Sequence, residues 1–474
     1  MTTIPRKTGE TGYVEGSFRD RHSRVLRSQG RIMRVLDETA AAEWRALTNS
    51  DFLQRAMKQG RVVGTREIGC SEADLAEFGS VWTMALEHDA IPFLSWPYEW
   101  SFGMLKDAAL LHLELLGEAL EAGFTMKDGS AYNLQWNGAK PCFIDLGSFE
   151  RWQAGEPWAG YRQFCQLMLF PLLLQAHLEL DFQPLLRGSL EGVDAVSANR
   201  MFGFARRFRR GVFAHVYLQA RLSQSLGDTR RDIRKELESA GFSQELVKTN
   251  VKRMRGLVER LEWRRSRSEW GDYTKEHNYS DDDHQRKAAF VRDAVAKEKP
   301  RLCWDLGANT GQFSAIAAEH SERVIALDID ALAVERHYQQ LKEKGPANIL
   351  PLVYNIADPS PALGWRGLER PPLEGRDRPE LILALALVHH LVISANLPMA
   401  DLIEWLAGLT RSALVIEFVG REDDMVERLL RNRHDQYHDY QLDVFETCLA
   451  RHFEVEARLT VNRENRKLFY CKRK

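Results

Sequence analysis

The residues with the most distinctive chemistry in this chain are two glycines and the acids that follow them. The sequence CWDLGANTGQFSAIAAEH, residues 303–320, leads a short apolar run into Gly307 and Gly311 and then into a helical pattern. Glycines at a strand-to-helix turn let the backbone approach a ligand closely, with the N–H groups of the helix start facing it. Asp328 follows about 20 residues later, where its carboxylate can accept hydrogen bonds from both hydroxyls of a ribose. The spacing predicts a nucleotide-type site, although the glycines could also form only a tight turn and Asp328 could cap the next helix.

The elements around this motif alternate strands with helices from about residue 290 onward, which is typical of a parallel sheet covered on both faces. The predicted strands are the apolar runs at 302–307, 323–329, 349–355, 380–387, 413–419, 452–461 and 466–473. Only the turn-like NREN separates the last two runs. Because a parallel crossover needs a dozen or more residues, these two strands must form an antiparallel hairpin.

The motif DLGANTG also has Asp305 two residues before its first glycine, and Asn309 where a dinucleotide-binding fold usually has glycine. It closely resembles the first motif of class I S-adenosylmethionine (SAM)-dependent methyltransferases. The resemblance continues through IALDID, NIAD at 355–358, LALALVHH at 383–390 and the final hairpin. It covers residues 291–474 and implies a SAM cofactor.

The resemblance also implies a role for each matching residue. Gly307 and Gly311 would let the turn pass beneath the methionine part of SAM, and Asp305 and Asn309 would fix that turn. Asp328 would bind the ribose.

Two further strand ends complete the implied site. Asn355 and Ile356, after the third strand, would lie beside the adenine. The backbone of Ala384 and Leu385 would meet the amino-acid end of SAM. No metal is implied, because the sulfonium already makes the methyl group electrophilic.

Three residues are candidates for the base that removes a proton from the methyl acceptor. His389 and His390 follow the fourth strand, and Glu417 lies in the fifth. An imidazole titrates near neutral pH, which suits it to accepting a proton from a hydroxyl or an amine. Alternatively, either histidine could be a packed residue at the strand end, and the transfer could proceed by positioning alone.

A second motif lies in the first half of the chain, in MKDGSAYNLQWNGAKPCFIDLGSF at 126–149. Asp128 precedes Asn133 by five residues, and Asp145 follows in IDLG. This resembles the catalytic segment of kinase-like phosphotransferases, in which such residues orient the acceptor hydroxyl and bind the metal. The resemblance implies ATP and Mg²⁺ as cofactors if that half is active.

The match departs from the kinase pattern at several positions. Met126 and Lys127 stand where His and Arg are usual, and Leu146 replaces Phe. No lysine lies between positions 58 and 106 to hold ATP phosphates, and Arg66 is the nearest substitute. Three interpretations stay open: a chance spacing, a degenerate kinase-like fold that captures substrate, or an active kinase.

The predicted fold class is α/β. A Rossmann-like, seven-stranded methyltransferase sheet with a final antiparallel hairpin occupies residues 291–474, and an α+β kinase-like domain of two lobes precedes it. That domain comprises a strand-rich region at 1–100 and a helical region at 101–250, and a helical linker follows at 251–290. The aromatic residues Trp270, Tyr273 and Tyr279 could cover the SAM pocket or pack between domains.

Composition narrows the class of protein further. At 474 residues, with 44% hydrophobic and 28% charged residues, the chain predicts a globular protein of two or three domains. The net charge of −2 gives no case for a nucleic-acid or membrane partner, and the basic clusters at 205–211 and 262–270 are interpreted as solvated helix faces and linker. Six scattered cysteines and a polar N-terminus predict a reducing, cytoplasmic environment without a zinc site or disulfides.

We therefore expect a SAM-dependent methyltransferase that acts on an O or N atom of a small-molecule or saccharide-type acceptor, with the first half recognising substrate. One alternative is a bifunctional enzyme that phosphorylates the acceptor before methylating it. A second alternative is a protein that binds SAM without turning it over.

Overall fold

The computed structural model describes residues 11–28, 30–69, 78–226, 243–265, 281–431, 436–461 and 465–474. The chain divides into two compact units. The first comprises residues 1–136, 140–264 and 362–371, and the second comprises residues 137–139, 265–361 and 372–474. Within the described residues, no helix combines the length and apolar character needed to cross a bilayer.

The first unit begins with a five-stranded antiparallel sheet in the order β1-β2-β3-β5-β4. Its strands are β1 (Thr11–Tyr13), β2 (Ser23–Ser28), β3 (Arg31–Leu36), β4 (Thr65–Ile68) and β5 (Met84–His88). Strands β2 and β3 pair antiparallel, with Ser28 opposite Arg31. Leu26, Val35 and Ala85 form a small apolar core on this sheet.

The remainder of the first unit is mainly helical. The central helix Phe102–Glu121 begins at the N-cap Ser101, whose hydroxyl accepts a hydrogen bond from the Met104 N–H. Its apolar face, which includes Leu105, Leu113 and Leu120, is buried. The other helices of this unit are Glu38–Thr48, Asp51–Lys58, Tyr161–Phe164, Cys165–Leu169, Phe170–Leu178, Gln183–Gly188, Ala195–Phe202, Val212–Tyr217, Leu218–Leu226 and Gln244–Glu259, and the 3₁₀ turns include Ala131–Asn133, Leu146–Ser148 and Ala205–Phe208.

Four short strands carry the second motif. They are β6 (Phe124–Met126), β7 (Leu134–Asn137), β8 (Lys140–Phe143) and β9 (Phe149–Arg151). Strand β6 pairs with β9 and β7 pairs with β8. The two pairs bring the chain around residue 128 close to the chain around residue 148, through the hydrogen bond from the Lys127 N–H to the Ser148 carbonyl at 2.8 Å.

The second unit is a seven-stranded sheet in the order β12-β11-β10-β13-β14-β16-β15. Its strands are β10 (Leu302–Leu306), β11 (Arg323–Asp328), β12 (Ile349–Val353), β13 (Leu381–Ala384), β14 (Ala413–Val419), β15 (Phe453–Val461) and β16 (Arg466–Arg473). Strands β10 to β14 are parallel, and β16 pairs antiparallel with both β14 and β15. The predicted α/β sheet and its final antiparallel hairpin are confirmed.

The parallel strands are buried along almost their whole length, as expected for a sheet that helices cover on both faces. The helices are Asp281–Glu298, Gln312–Ala318, Ala331–Lys344, His390–Ser394, Met399–Leu409, Asp424–Leu430 and Leu442–His452. Val291 and Val295 of the first of these helices belong to the same apolar core as Cys303 and Val415 in the strands. The five cysteines among the described residues are buried and free, and Cys70 lies outside the described residues.

One segment does not follow the order of the chain. Residues 362–371 lie in sequence between β12 and β13 but belong to the first unit. Glu369 accepts two hydrogen bonds from the Arg19 guanidinium, each of 2.7 Å, and the Arg370 guanidinium lies 4.2 Å from the centre of the Tyr132 ring. The sequence predicts one uninterrupted domain over 291–474, and this excursion is absent from that prediction.

Candidate active site

A cleft of about 390 Å³ lies at the carboxyl ends of the parallel strands in the second unit. This is the edge at which open α/β sheets bind their ligands. Eight of the residues predicted for the site line it: Asp305, Gly307, Asn309, Asp328, Asn355, Ile356, Leu385 and His390. The other predicted residues of this unit, Gly311, Ala384, His389 and Glu417, are absent from the lining.

The turn after β10 has the backbone conformation that the glycine motif predicts. Gly307 has φ +75° and Asn309 has φ +50°. The N–H of Gly307 donates to the Leu327 carbonyl at 2.8 Å, which ties the turn to the end of β11. A Cβ at position 307 would lie 3.2 Å from Leu387 Cδ1, so a larger residue there would crowd the cleft wall.

Gly311 has a packing role in the described structure, and its predicted role beneath SAM stays a prediction. It has φ +83° and precedes the helix Gln312–Ala318. A Cβ at this position would lie 2.0 Å from Nε2 of His337, which is buried in the helix Ala331–Lys344. Glycine is therefore needed to pack this turn against the neighbouring helix.

Asp328 ends β11 and its carboxylate is held in place from two sides. Oδ2 accepts a hydrogen bond from the Asn309 N–H at 2.7 Å, and Oδ1 accepts one from the Asp330 N–H at 2.8 Å. The helix is capped by Asp330, which accepts from the Leu332 N–H at 2.9 Å, and so capping does not account for Asp328. Burial raises the pKa of Asp328 to about 6, although these N–H groups oppose the shift.

Asp305 lies in β10 below the turn. Its Oδ2 accepts a hydrogen bond of 2.6 Å from the Ser314 hydroxyl, which joins the strand to the following helix. Burial raises the pKa of Asp305 to about 6, and the nearby Asp328 carboxylate adds to that shift. The position fits the predicted role of fixing the turn.

Glu417 supports the cleft from beneath. Its carboxylate is fully buried, accepts a hydrogen bond from the Ala386 N–H at 2.8 Å and pairs with the Lys287 ammonium at 2.6 Å. Ala386 has φ +49°, a conformation that is uncommon for a residue with a Cβ. Glu417 therefore holds the loop after β13 in its shape.

The two adjacent histidines occupy different surroundings, although their ring centres are 4.0 Å apart. His390 lines the cleft, and burial, followed by the positive charge of Arg466, lowers its pKa to about 4. His389 is fully buried, neither of its ring nitrogens has a hydrogen-bond partner among the described residues, and burial lowers its pKa well below the usual value. Of the two, only His390 is placed to meet a substrate in the cleft.

Two buried cations in the wall are absent from the sequence-based prediction. Lys287 comes from the helix Asp281–Glu298, and its ammonium lies 4.8 Å from the centre of the Phe313 ring. Burial lowers the pKa of Lys287, against the effect of Glu417. Arg466, at the start of β16, forms two hydrogen bonds of 2.7 and 3.0 Å with Asp423.

Comparison with known proteins gives one relative over nearly the whole chain. The nodulation protein NoeA of Rhizobium meliloti (strain 1021) is 33% identical over 472 residues, which are 98% of this chain and 96% of that protein. The chain belongs to the NoeA family. No protein-family model matches this NoeA-family chain.

Solved structures are similar to only part of this NoeA-family chain. The N-methyltransferase NodS from Bradyrhizobium japonicum WM9 in complex with S-adenosyl-L-homocysteine (SAH) is 14% identical, with 44% of this chain and 99% of that chain covered and a TM-score of 0.31. The magnesium protoporphyrin IX methyltransferase from Synechocystis PCC 6803 with bound SAH is 16% identical, with 40% and 84% covered and a TM-score of 0.30.

In the first unit, the side chains of the second motif contact one hydroxyl group, that of Ser148. Ser148 Oγ donates toward Asp145 at 2.9 Å and toward Asp128 at 3.3 Å. The Asn133 side-chain amide donates to the same oxygen at 3.0 Å. The three residues that the sequence singles out are therefore brought together, and Ser148 is the partner that the prediction lacks.

Arg34 supplies the cation that pairs with Asp145, and the suggested role of Arg66, as a substitute for the lysine that holds ATP phosphates, stays a prediction. Arg34 Nη1 donates to Asp145 at 2.9 Å, whereas Arg66 pairs with Glu87 at 2.7 Å. Burial opposes ionisation of Asp145, but the Arg34 charge and the Ser148 hydrogen bond outweigh it and lower its pKa. Burial and the charge of Asp145 raise the pKa of Asp128.

Neither a metal site nor a kinase-like fold is identified for this first unit. Across the described residues, no group of three or more His, Cys, Asp and Glu side chains is arranged to hold a metal ion. The kinase-like fold, with ATP and Mg²⁺, stays a prediction. The aromatic residues Trp270, Tyr273 and Tyr279 lie outside the described residues.

Proposed function

We propose that this NoeA-family protein is a SAM-dependent methyltransferase. It would transfer a methyl group to an O or N atom of a small-molecule or saccharide-type acceptor. The observation that carries the proposal is the buried Asp328 carboxylate, which lies beside the left-handed turn at Gly307 and Asn309 in the cleft at the strand ends.

The residues present fit the cofactor. The two carboxylate oxygens of Asp328 have four lone pairs between them and accept hydrogen bonds from backbone N–H groups, including those of Asn309 and Asp330, so the carboxylate can still accept one from a ribose hydroxyl. The absence of a side chain at Gly307 leaves room for the methionine part of SAM. Asn355 and Ile356 line the cleft beyond β12, where the adenine would lie, and Leu385 lies where the backbone would meet the amino-acid end.

The SAM sulfonium supplies an electrophilic methyl group, so the protein has to align the acceptor and accept its proton. His390 is the proposed base. Burial and the charge of Arg466 lower its pKa to about 4, so the imidazole is neutral at pH 7 but is a weaker base than a histidine of ordinary pKa, and positioning of the acceptor has to supply more of the catalysis. Glu417 is better assigned to positioning, because its carboxylate already bonds Lys287 and Ala386.

The experiment that tests this function has two stages. Isothermal titration calorimetry with SAH and SAM measures binding to the purified protein, and we expect micromolar affinity for both. An extract is then incubated with isotopically labelled SAM, and mass spectrometry identifies whatever becomes labelled. The absence of binding heat at millimolar ligand would refute the proposal. Binding without any labelled product would favour the alternative of a SAM-binding protein without turnover.

A second candidate function follows from the convergence of Asp128, Asn133 and Asp145 on Ser148. We propose that the first unit recognises the acceptor through this cluster. The competing proposal is that it phosphorylates the acceptor before methylation. The Arg34 guanidinium already occupies one face of Asp145, which weighs against a metal ion at that carboxylate. Calorimetry with ATP and Mg²⁺ separates the two, because binding heat that Asp145→Asn abolishes would favour the kinase.

A further inference from the structure

The first unit carries an exposed surface of arginines and large apolar side chains on residues 200–222, which we call the arginine–aromatic surface. It extends over the end of the helix Ala195–Phe202, the turn Ala205–Phe208 and the helical segments Val212–Tyr217 and Leu218–Leu226. The net charge of the whole chain, −2, gives no indication of this local positive charge.

Large apolar side chains are unusually exposed on this surface. Phe204 and Phe208 expose 73% and 74% of their area, and Phe213, Leu218 and Leu222 expose 46%, 43% and 60%. The rings contact one another: the Phe208 and Phe213 rings are stacked with their centres 6.4 Å apart, and Phe204 lies edge-on to Phe208 at 6.5 Å. Contiguous exposed apolar groups of this kind mark interaction sites.

The charge on the same surface has one sign. Residues 195–226 contain six arginines and no aspartate, glutamate or lysine. Arg206, Arg209 and Arg210 are exposed and form no ion pair with another residue in the described part of the chain. Arg207 lies over the rings of Phe204 and Tyr217, at 5.3 and 4.6 Å from their centres. A partner for this surface must therefore combine negative charge with an apolar phase.

We propose that the arginine–aromatic surface docks the protein on an anionic lipid membrane. Arginines bind the lipid phosphates while phenyl and leucyl side chains enter the boundary between headgroups and acyl chains. A nucleic acid would satisfy the arginines and could stack on the rings. It offers no apolar phase for Leu218 and Leu222, which are exposed on the helix Leu218–Leu226 that follows. The proposal is independent of the methyltransferase activity.

Co-sedimentation with lipid vesicles tests the proposal on the full chain. We expect the protein to pellet with vesicles of phosphatidylcholine containing about one third phosphatidylglycerol and not with phosphatidylcholine alone. Raising NaCl to about 1 M should release most of it, because the Debye length falls to about 3 Å. No binding to the anionic vesicles, or equal binding to both vesicle types, would overturn the proposal without any variant being needed.

Variants then locate the contact. The triple change Arg206→Gln, Arg209→Gln and Arg210→Gln should weaken partitioning by about two orders of magnitude, since each arginine near an anionic surface contributes roughly a factor of five. The pair Phe204→Ser and Phe208→Ser should weaken it at least tenfold.

The matched control is the triple change Arg27→Gln, Arg55→Gln and Arg253→Gln, which removes the same charge from exposed positions elsewhere on the first unit. It should pellet as the wild type does. Equal loss in the control would overturn the assignment to this surface. Tighter binding to a single-stranded oligonucleotide than to the anionic vesicles would assign the surface to nucleic acid instead.

Discussion

The Asp328 carboxylate accepts a hydrogen bond of 2.7 Å from the backbone N–H of Asn309. Asp328 is the last residue of β11, and Asn309 lies in the turn that follows the neighbouring parallel strand β10. The bond therefore fixes the acid relative to the glycine turn. The same carboxylate oxygen can therefore be presented to a ligand without a change in the loop. The first predictions concern this arrangement.

Replacing Asp328 with Asn should reduce the affinity for SAH by roughly tenfold to a hundredfold. The reason is that hydrogen bonds to a charged group contribute about 1.5–3 kcal/mol. Calorimetry measures the loss. The control is Asp401→Asn on the exposed face of the helix Met399–Leu409, which should bind SAH like the wild type. Unchanged affinity in Asp328→Asn would rule out the ribose contact.

The affinity for SAH should depend on pH through the same residue. Burial raises the pKa of Asp328 to about 6 in the protein without ligand. The ribose hydroxyls bind to the ionised carboxylate, so affinity is full above pH 6 and falls as the group protonates below it. Calorimetry between pH 5 and pH 8 measures this, and the slope should vanish in Asp328→Asn. The neighbouring Asp305 has a similar pKa, so a slope that survives in Asp328→Asn would assign the titration to Asp305.

Gly311→Ala should destabilise the protein by more than about 2 kcal/mol, because the residue has φ +83° and its Cβ would overlap the His337 ring. Thermal unfolding followed by circular dichroism measures the shift. Gly117→Ala is the matched control: it lies in the helix Phe102–Glu121 and its Cβ would meet open space. That change should raise stability by about 0.5–1 kcal/mol. Equal shifts in both variants would contradict the steric account.

Removing one partner of the buried pair Lys287 and Glu417 should cost about 3–5 kcal/mol of unfolding free energy, because the other charge is left buried without it. Lys287→Met and Glu417→Gln are the single changes. Their combination should cost less than the sum of the two, as a double-mutant cycle in urea measures. Strict additivity would mean that the two side chains do not stabilise each other.

His390→Asn should lower the methylation rate while leaving the affinity for SAH unchanged, measured on the acceptor found with labelled SAM. Because burial lowers the pKa of His390 to about 4, the pH profile of the wild-type rate should show no rise near pH 6.5 from deprotonation of His390. His389→Asn should act differently, by destabilising the fold, since the ring is fully buried. A full rate in His390→Asn would remove it as the base and favour transfer by positioning alone.

The strands and the turn could be predicted from sequence because their signals are local. Each of the seven apolar runs from 302 onward became a strand, and Gly307, Asn309 and Asp328 line the cleft as expected. The sequence did not indicate the packing role of Gly311, and its predicted role beneath SAM stays a prediction. Its steric partner, His337, lies 26 residues away on another helix, and no local pattern indicates that contact.

The buried cations could not be predicted for the same physical reason. Lys287 contacts a residue 130 positions away, and Arg466 contacts one 43 positions away. Lysine and arginine on a helix or at a strand start are usually solvated, so their residue types alone give no signal. Likewise, no local pattern indicates that Arg34 pairs with Asp145, because the two residues lie 111 positions apart in the sequence.

Residues 362–371 belong to the first unit although they lie in sequence within the second, and this affects how the gene can recombine. A gene cut after codon 264 would yield a first product without Glu369 and Arg370, and thus without their contacts to Arg19 and Tyr132. Recombination cannot exchange the two units as intact cassettes at a single crossover. Lineages that carry this excursion are therefore expected to inherit both units together.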